Sequence, residues 1–204
     1  MGHTIAHRRR ISGAVRRILA TVCLALALAP DLCAQASPAP PDDPFADQAW
    51  HLQIEGHAAT EAWNYNISHE NLYGVILGFT YGLRKGLVLT ARSPRYYVRQ
   101  RGVNAWLVGT TAGVRGRIYR REPVSIFLEF DVGVSEADTL TPPGGTRFNY
   151  LALGSAGGTL RVRPGIHLVG SIRWIHVSNN GLAGRSRNPD IEAVGPQVGV
   201  LLKF

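Results

Sequence analysis

From Trp50 to the last residue the chain alternates apolar and polar side chains with a period of two. Trp50, Leu52 and Ile54 alternate with His51, Gln53 and Glu55. Tyr73, Val75, Leu77, Phe79 and Tyr81 alternate with small residues. Trp106, Val108, Thr110, Ala112, Val114 and Ile118 alternate with Gly109, Thr111, Arg115 and Arg117, and Val124 to Val134 alternate with Ser125, Glu129 and Asp131. Period two places successive side chains on opposite faces of a sheet. No stretch after the first 48 residues repeats with helical spacing. The pattern predicts eight strands near 50–58, 71–82, 86–97, 104–119, 123–134, 147–161, 165–178 and 193–204. The parity of the third and sixth is ambiguous, and the sixth is rich in glycine (Gly154, Gly157, Gly158).

The polar face decides between two all-β solutions. Glu55, Arg115, Arg117, Glu129, Asp131 and Arg173 are full charges of both signs. In a sandwich core they would be strongly destabilising; in the polar interior of a barrel they pair. The strands also have the length that a tilted membrane strand requires. The expected fold is therefore an eight-stranded antiparallel transmembrane β-barrel over residues 49–204. Side chains fill a barrel of this size, so it is not a pore. The chain ends on "VGVLLKF", with Val198, Val200, Leu202 and Phe204 on one face. That ending resembles the C-terminal signal of bacterial outer-membrane barrels.

The first 36 residues read as a cleaved secretory signal peptide. Arg8, Arg9, Arg10, Arg16 and Arg17 precede an apolar run over 18–29, and Ala34-Gln35-Ala36 offers a cleavage site. The run is too short for a membrane-spanning helix. Leu32-Cys33 lacks the small residue that precedes a lipoprotein cysteine. Cleavage would remove both cysteines, Cys23 and Cys33, five arginines and one aspartate. It would leave 17 basic against 13 acidic residues, a net charge of +4 rather than +8. The remaining chain has no thiol chemistry, no basic stripe, no helix-turn-helix pattern and no zinc spacing, which argues against nucleic-acid binding. Residues 37–48, rich in Pro and Asp, read as a flexible periplasmic lead-in.

With both ends of the barrel periplasmic, segments 83–86, 120–123 and 161–165 become short turns. Segments 59–70, 98–103, 135–146 and 179–192 become extracellular loops. One strand end then stands out. In "SIRWIHVSNNGL", His176 and Ser178 continue the outward parity of Ile172 and Trp174, and Glu192 shares the outward parity of Val194 and Val198. Three polar groups at the extracellular end of adjacent strands form a nucleophile, base and orienting acid. A polar group there faces only a small lipid-exposure penalty. Read without chemistry, His-x-Ser is an ordinary strand end, and Asn179-Asn180-Gly181 an ordinary positive-φ turn.

"IHVSNNGL", then "NPDIE" and a short last strand ending in Phe, resembles the end of the PagL family, outer-membrane lipid A 3-O-deacylases. "FNY" (148–150) is weakly similar to an aromatic segment of that family. The resemblance implies an eight-stranded barrel with a Ser-His-Glu triad on its outer wall. Ser178 would be the nucleophile, His176 the base and Glu192 the acid, with Asn179 and Asn188 shaping the site or donating to an oxyanion. Asn180 stands where the family has Ala or Gly, and the loop before Glu192 is longer. Asp190 shares the parity of Glu192 and is the alternative acid. The implied substrate is lipid A within lipopolysaccharide, in the outer leaflet of the outer membrane. No cofactor or metal is implied. Arg185, Arg187, Arg95, Arg99 and Arg101 are candidate contacts for the lipid A phosphates. The competing readings are an inactive structural or adhesion barrel and another lipid acyl hydrolase or acyltransferase. The outer wall leaves a homodimer open, and no pattern favours one.

Overall fold

The computed structural model describes residues 42–63, 68–84 and 86–204, with only the backbone at Arg185. The expected signal peptide, residues 1–36, and the start of the expected lead-in, residues 37–41, lie outside the described residues. Eight strands follow one another: β1 (Trp50–Glu61), β2 (Asn71–Arg84), β3 (Leu87–Arg99), β4 (Ala105–Arg121), β5 (Val124–Thr141), β6 (Thr146–Arg163), β7 (Ile166–Ser178) and β8 (Ile191–Lys203). Each pairs antiparallel with the next, and β8 pairs with β1 to close the barrel. Closure leaves no sheet edge, which a β structure in lipid requires. Among the described residues there is no helix long and apolar enough to cross a membrane.

Alternation sets the two surfaces. The outer wall exposes Val75, Leu77, Phe79, Leu128, Val132, Ile172 and Val198. One rim has two-residue turns, as at Pro164-Gly165, where Gly165 takes the positive φ (77°) that the turn requires. The opposite rim has the longer connections, 62–70, 100–104, 142–145 and 179–190. This asymmetry is that of outer-membrane barrels, with the longer loops extracellular. Trp50, Tyr81, Phe79 and Phe204 form an aromatic cluster near the short-turn rim, with Trp50 and Tyr81 rings 4.8 Å apart. Aromatic girdles of this kind mark the membrane interfaces.

The interior has three layers. At the long-loop end an apolar cluster seals the lumen, including Leu72, Ile76, Tyr96, Leu107, Leu151, Leu153, Ile175 and Ile191. Below it lies a charged layer centred on Glu129. Arg115 Nε donates to Glu129 Oε2 (2.7 Å), Ser155 Oγ donates to Oε1 (3.0 Å), and Arg173 and Arg92 donate to the same carboxylate. Arg92 and Thr90 also donate to Asp131. Arg115 lies over the Phe127 ring at 4.4 Å. These side chains are buried, and each carboxylate in the layer needs its guanidinium partners to remain there. At the short-turn end Val88, Phe127, Val169 and Leu201 pack with Phe45.

Phe45 belongs to the lead-in, and its burial corrects the expectation of flexibility for residues 42–48. Its ring is 6.4 Å from Phe127 and beneath the Arg117 guanidinium. Asp43 pairs with Arg117 and accepts the Phe45 N–H at 2.9 Å, and Asp42 Oδ1 accepts the Gly165 N–H at 2.7 Å. The segment closes the short-turn mouth of the barrel. A second correction concerns segment 135–146, expected as a loop: β5 and β6 continue through it, leaving only 142–145 as a turn. Arg99, expected in the loop 98–103, likewise lies within β3, as does Arg95.

Candidate active site

β7 ends at Ser178 and β8 begins at Ile191, and their register brings His176 directly opposite Glu192. In an antiparallel pair, directly opposed side chains share a face and touch. His176 Nδ1 lies 2.7 Å from Glu192 Oε1. With a carboxylate on Nδ1, the ring proton sits there and Nε2 keeps its lone pair. No described residue hydrogen-bonds to Nε2, and the ring is partly exposed. The other carboxylate oxygen, Glu192 Oε2, accepts the indole N–H of Trp174 at 2.5 Å. The Trp174 ring stacks on His176, with centroids 5.9 Å apart and planes 24° apart. Gly154 is opposite Trp174 on β6, and a Cβ there would be in ordinary van der Waals contact with the indole at 3.4 Å. Both Glu192 oxygens are therefore directed, one toward the imidazole and one toward the indole.

Ser178 lies two residues beyond His176 on the same face. Its hydroxyl donates to Asn188 Oδ1 (3.1 Å) and accepts the backbone N–H of Asn180 (3.0 Å). It makes no hydrogen bond to His176, and the residue is only 5% exposed beneath the β7–β8 loop. The loop geometry follows from its sequence. Asn180 (φ 52°) and Gly181 (φ 73°) are both left-handed, and Leu182 N–H donates to Asn179 O at 3.1 Å, which makes 179–182 a turn of the type that Asn-Gly favours. That turn aims the Asn180 N–H back at Ser178.

Asn179 and Asn188 separate into different tasks. Asn179 is buried. Its Oδ1 accepts the Gly181 N–H (2.9 Å), and its Nδ2 donates to Thr146 Oγ1 (3.0 Å) and to the Arg187 carbonyl. These bonds hold the turn together and tie it to the start of β6 and to the Arg187 carbonyl, so both side-chain N–H groups of Asn179 are taken up. Asn188 touches the Ser178 hydroxyl, and no described residue accepts from its Nδ2. The carboxylate hydrogen-bonded to the ring is that of Glu192.

The arginines divide as well. Arg187 is in the loop over the site, with Nη2 3.4 Å from the Gly145 carbonyl. Arg185 begins the same short 3₁₀ turn, Arg185–Arg187. Arg95, Arg99 and Arg101 are not brought to this site. β3 is four strands from β7 around an eight-stranded barrel, so they stand on the opposite wall. Two neighbours of the site were not assigned to it from the sequence. One is Trp174 as a partner of Glu192, although its outward parity two residues before His176 was a usable signal. The other is Tyr150, whose register partner is Ser178 and whose ring meets Phe148 edge-on at 5.7 Å. Among the described residues no cluster could hold a metal ion.

Neither a protein-family model nor a curated protein sequence matches the chain. Solved structures do match its fold. Neisserial surface protein A (NspA) superposes with a TM-score of 0.58 at 15% identity, covering 76% of this chain and 97% of that one. The outer membrane enzyme PagL superposes with a TM-score of 0.53 at 18% identity, covering 71% and 97%. The chain shares the eight-stranded outer-membrane barrel with both. One neighbour is named as a surface protein and the other as an enzyme, so the fold leaves activity to be argued from the site.

Proposed function

We propose that the protein is an outer-membrane esterase that removes the ester-linked acyl chain at the 3-position of lipid A. The observation that carries this reading is the outward-facing His176–Glu192 pair at the long-loop end, 2.7 Å apart, with Ser178 two residues along the same face. A base on the outer wall at this height meets the ester region of the outer leaflet rather than a soluble substrate.

Ser178 Oγ attacks the acyl carbonyl carbon, and its proton passes to His176 Nε2. Rotation about χ1 moves the hydroxyl from Asn188 to the imidazole when the loop admits substrate, and such catalytic hydrogen bonds tighten on binding. Glu192 stabilises the imidazolium, and Trp174 holds Glu192. The negative charge on the carbonyl oxygen is met by the Asn180 backbone N–H and the Asn188 amide, both already beside Ser178 Oγ. Collapse breaks the bond to the sugar oxygen, which takes the proton from His176. Water then attacks the acyl-serine with His176 as base, and collapse frees the fatty acid and returns the proton to Ser178. Arg185 and Arg187, in the loop over the site, are the candidates for a phosphate of the bound lipid. A structural barrel is the second reading, favoured by the Ser178–Asn188 bond and by the likeness to a surface protein.

A long-chain alkyl fluorophosphonate separates the two. The esterase reading expects a covalent adduct on the peptide carrying Ser178, lost in His176→Asn. Absence of any adduct on folded wild-type barrel would favour the structural reading.

A further inference from the structure

The wall opposite Ser178 carries a feature that the esterase does not use. Tyr73, Tyr97 and Trp106 are register partners across β2, β3 and β4, with the Tyr97 and Trp106 rings 5.3 Å apart. A row of outward aromatic residues near the long-loop rim marks the outer membrane interface. Arg95 and Arg99 are the outward residues on either side of Tyr97. Arg95 lies one outward position deeper, between Val75 and Val108, and Arg99 lies one nearer the rim, opposite Asn71. Arg101 follows in the loop, its backbone N–H held by Ser68 Oγ at 2.7 Å. All three arginines are exposed.

Their guanidinium groups make no hydrogen bond or ion pair among the described residues. The outward carboxylates of neighbouring β5 are engaged elsewhere. Asp138 accepts the Trp106 backbone N–H (3.0 Å), and Glu136 lies 3.3 Å from Arg147. An unpaired charge on the apolar side of an aromatic row is unfavourable, and more so with depth. Only a long side chain reaching back toward the row, or an anion descending to it, relieves that penalty. Arg95 and Arg99 are about 13 Å apart along the strand. Long side chains anchored one outward position above and one below the row are able to reach it from both sides, and planar guanidinium groups bind phosphate by paired donors.

We infer that Arg95, Arg99 and Arg101 form a binding site for the phosphate groups of an outer-leaflet phosphorylated glycolipid, on the wall opposite Ser178. The source is the outer leaflet because the patch lies at the long-loop rim. This site is separate from the proposed substrate position and does not depend on the esterase reading.

The test is native mass spectrometry of the full-length chain in detergent, carrying Ser178→Ala to prevent turnover, titrated with bisphosphorylated lipid A. The site predicts that Arg95→Gln/Arg99→Gln loses one bound lipid A per barrel, or weakens it about tenfold or more, whether or not another lipid occupies the Ser178 wall. Dephosphorylated lipid A should behave on the parent barrel as lipid A does on the variant. Unchanged stoichiometry and affinity in the variant would overturn the inference, as would equal binding of phosphatidylglycerol. If the double variant fails to give the heat-modifiable gel shift of a folded barrel, Arg99→Gln/Arg101→Gln at the rim takes its place under the same criterion.

Discussion

Glu192→Gln is the most informative single change at the site, because the structure specifies how it should fail. The carboxylate makes two directed contacts, Oε1 to His176 Nδ1 at 2.7 Å and Oε2 accepting from Trp174 Nε1 at 2.5 Å. An amide has only one oxygen to offer. The indole N–H can only donate, so the amide oxygen turns to Trp174 and the NH₂ turns to His176. Nδ1 must then accept, the ring proton moves to Nε2, and the ring loses the lone pair that the proposed mechanism needs to take the serine proton. Volume and packing hardly change, so the barrel should stay intact. Forcing the wrong tautomer in a serine–histidine–acid system lowers kcat by about 10⁴. At about 1.36 kcal/mol per decade that is about 5.4 kcal/mol of lost transition-state stabilisation. The assay is fatty-acid release from lipid A in mixed micelles, with folding checked by the heat-modifiable gel shift. A folded Glu192→Gln barrel retaining activity within tenfold of wild type would refute the tautomer argument. If Asp190→Asn instead produced the large loss, the acid would be Asp190.

Three further outcomes follow from this and other contacts of the barrel. Trp174→Phe keeps an aromatic ring on His176 but removes the N–H on Glu192, so kcat should fall about 10- to 100-fold, the worth of one hydrogen bond to a charged group, with KM little changed. Equal losses in kcat and in barrel stability would make Trp174 merely structural. Glu129→Gln leaves Arg92, Arg115 and Arg173 short of their shared carboxylate and should destabilise the barrel by about 3–5 kcal/mol in urea unfolding, far from the site. Gly195→Val places a Cβ where an ideal Cβ would lie 1.8 Å from the Ala58 carbonyl oxygen, so β1–β8 closure beside Glu192 should fail and the gel shift of the folded barrel should be lost.

The strands were legible because most have one apolar and one charged or polar face, as Glu55, Glu129, Asp131 and Arg173 show. The third and sixth were ambiguous for a physical reason. Their inward positions include Val88, Tyr96, Val98, Leu151 and Leu153, which seal the two ends of the lumen, while Ser93 and Arg95 point outward. Both faces therefore mix apolar and polar residues. The docking of Phe45 was not legible because a plug segment has no period, and its burial depends on Phe127 and Arg117, far away in sequence. At the candidate site, parity alone put His176, Ser178 and Glu192 on one wall. Register, which pairs His176 with Glu192 rather than Asp190, depends on the loop between the strands and required coordinates.

The account's central claim is that Ser178 removes an acyl chain from lipid A, and the mass of lipid A tests it most directly. Lipid A from cells producing the wild-type chain should lose the mass of one ester-linked hydroxyacyl group, and lipid A from cells producing folded Ser178→Ala should not. An unchanged lipid A mass with the wild-type barrel, or the same loss with Ser178→Ala, would contradict it.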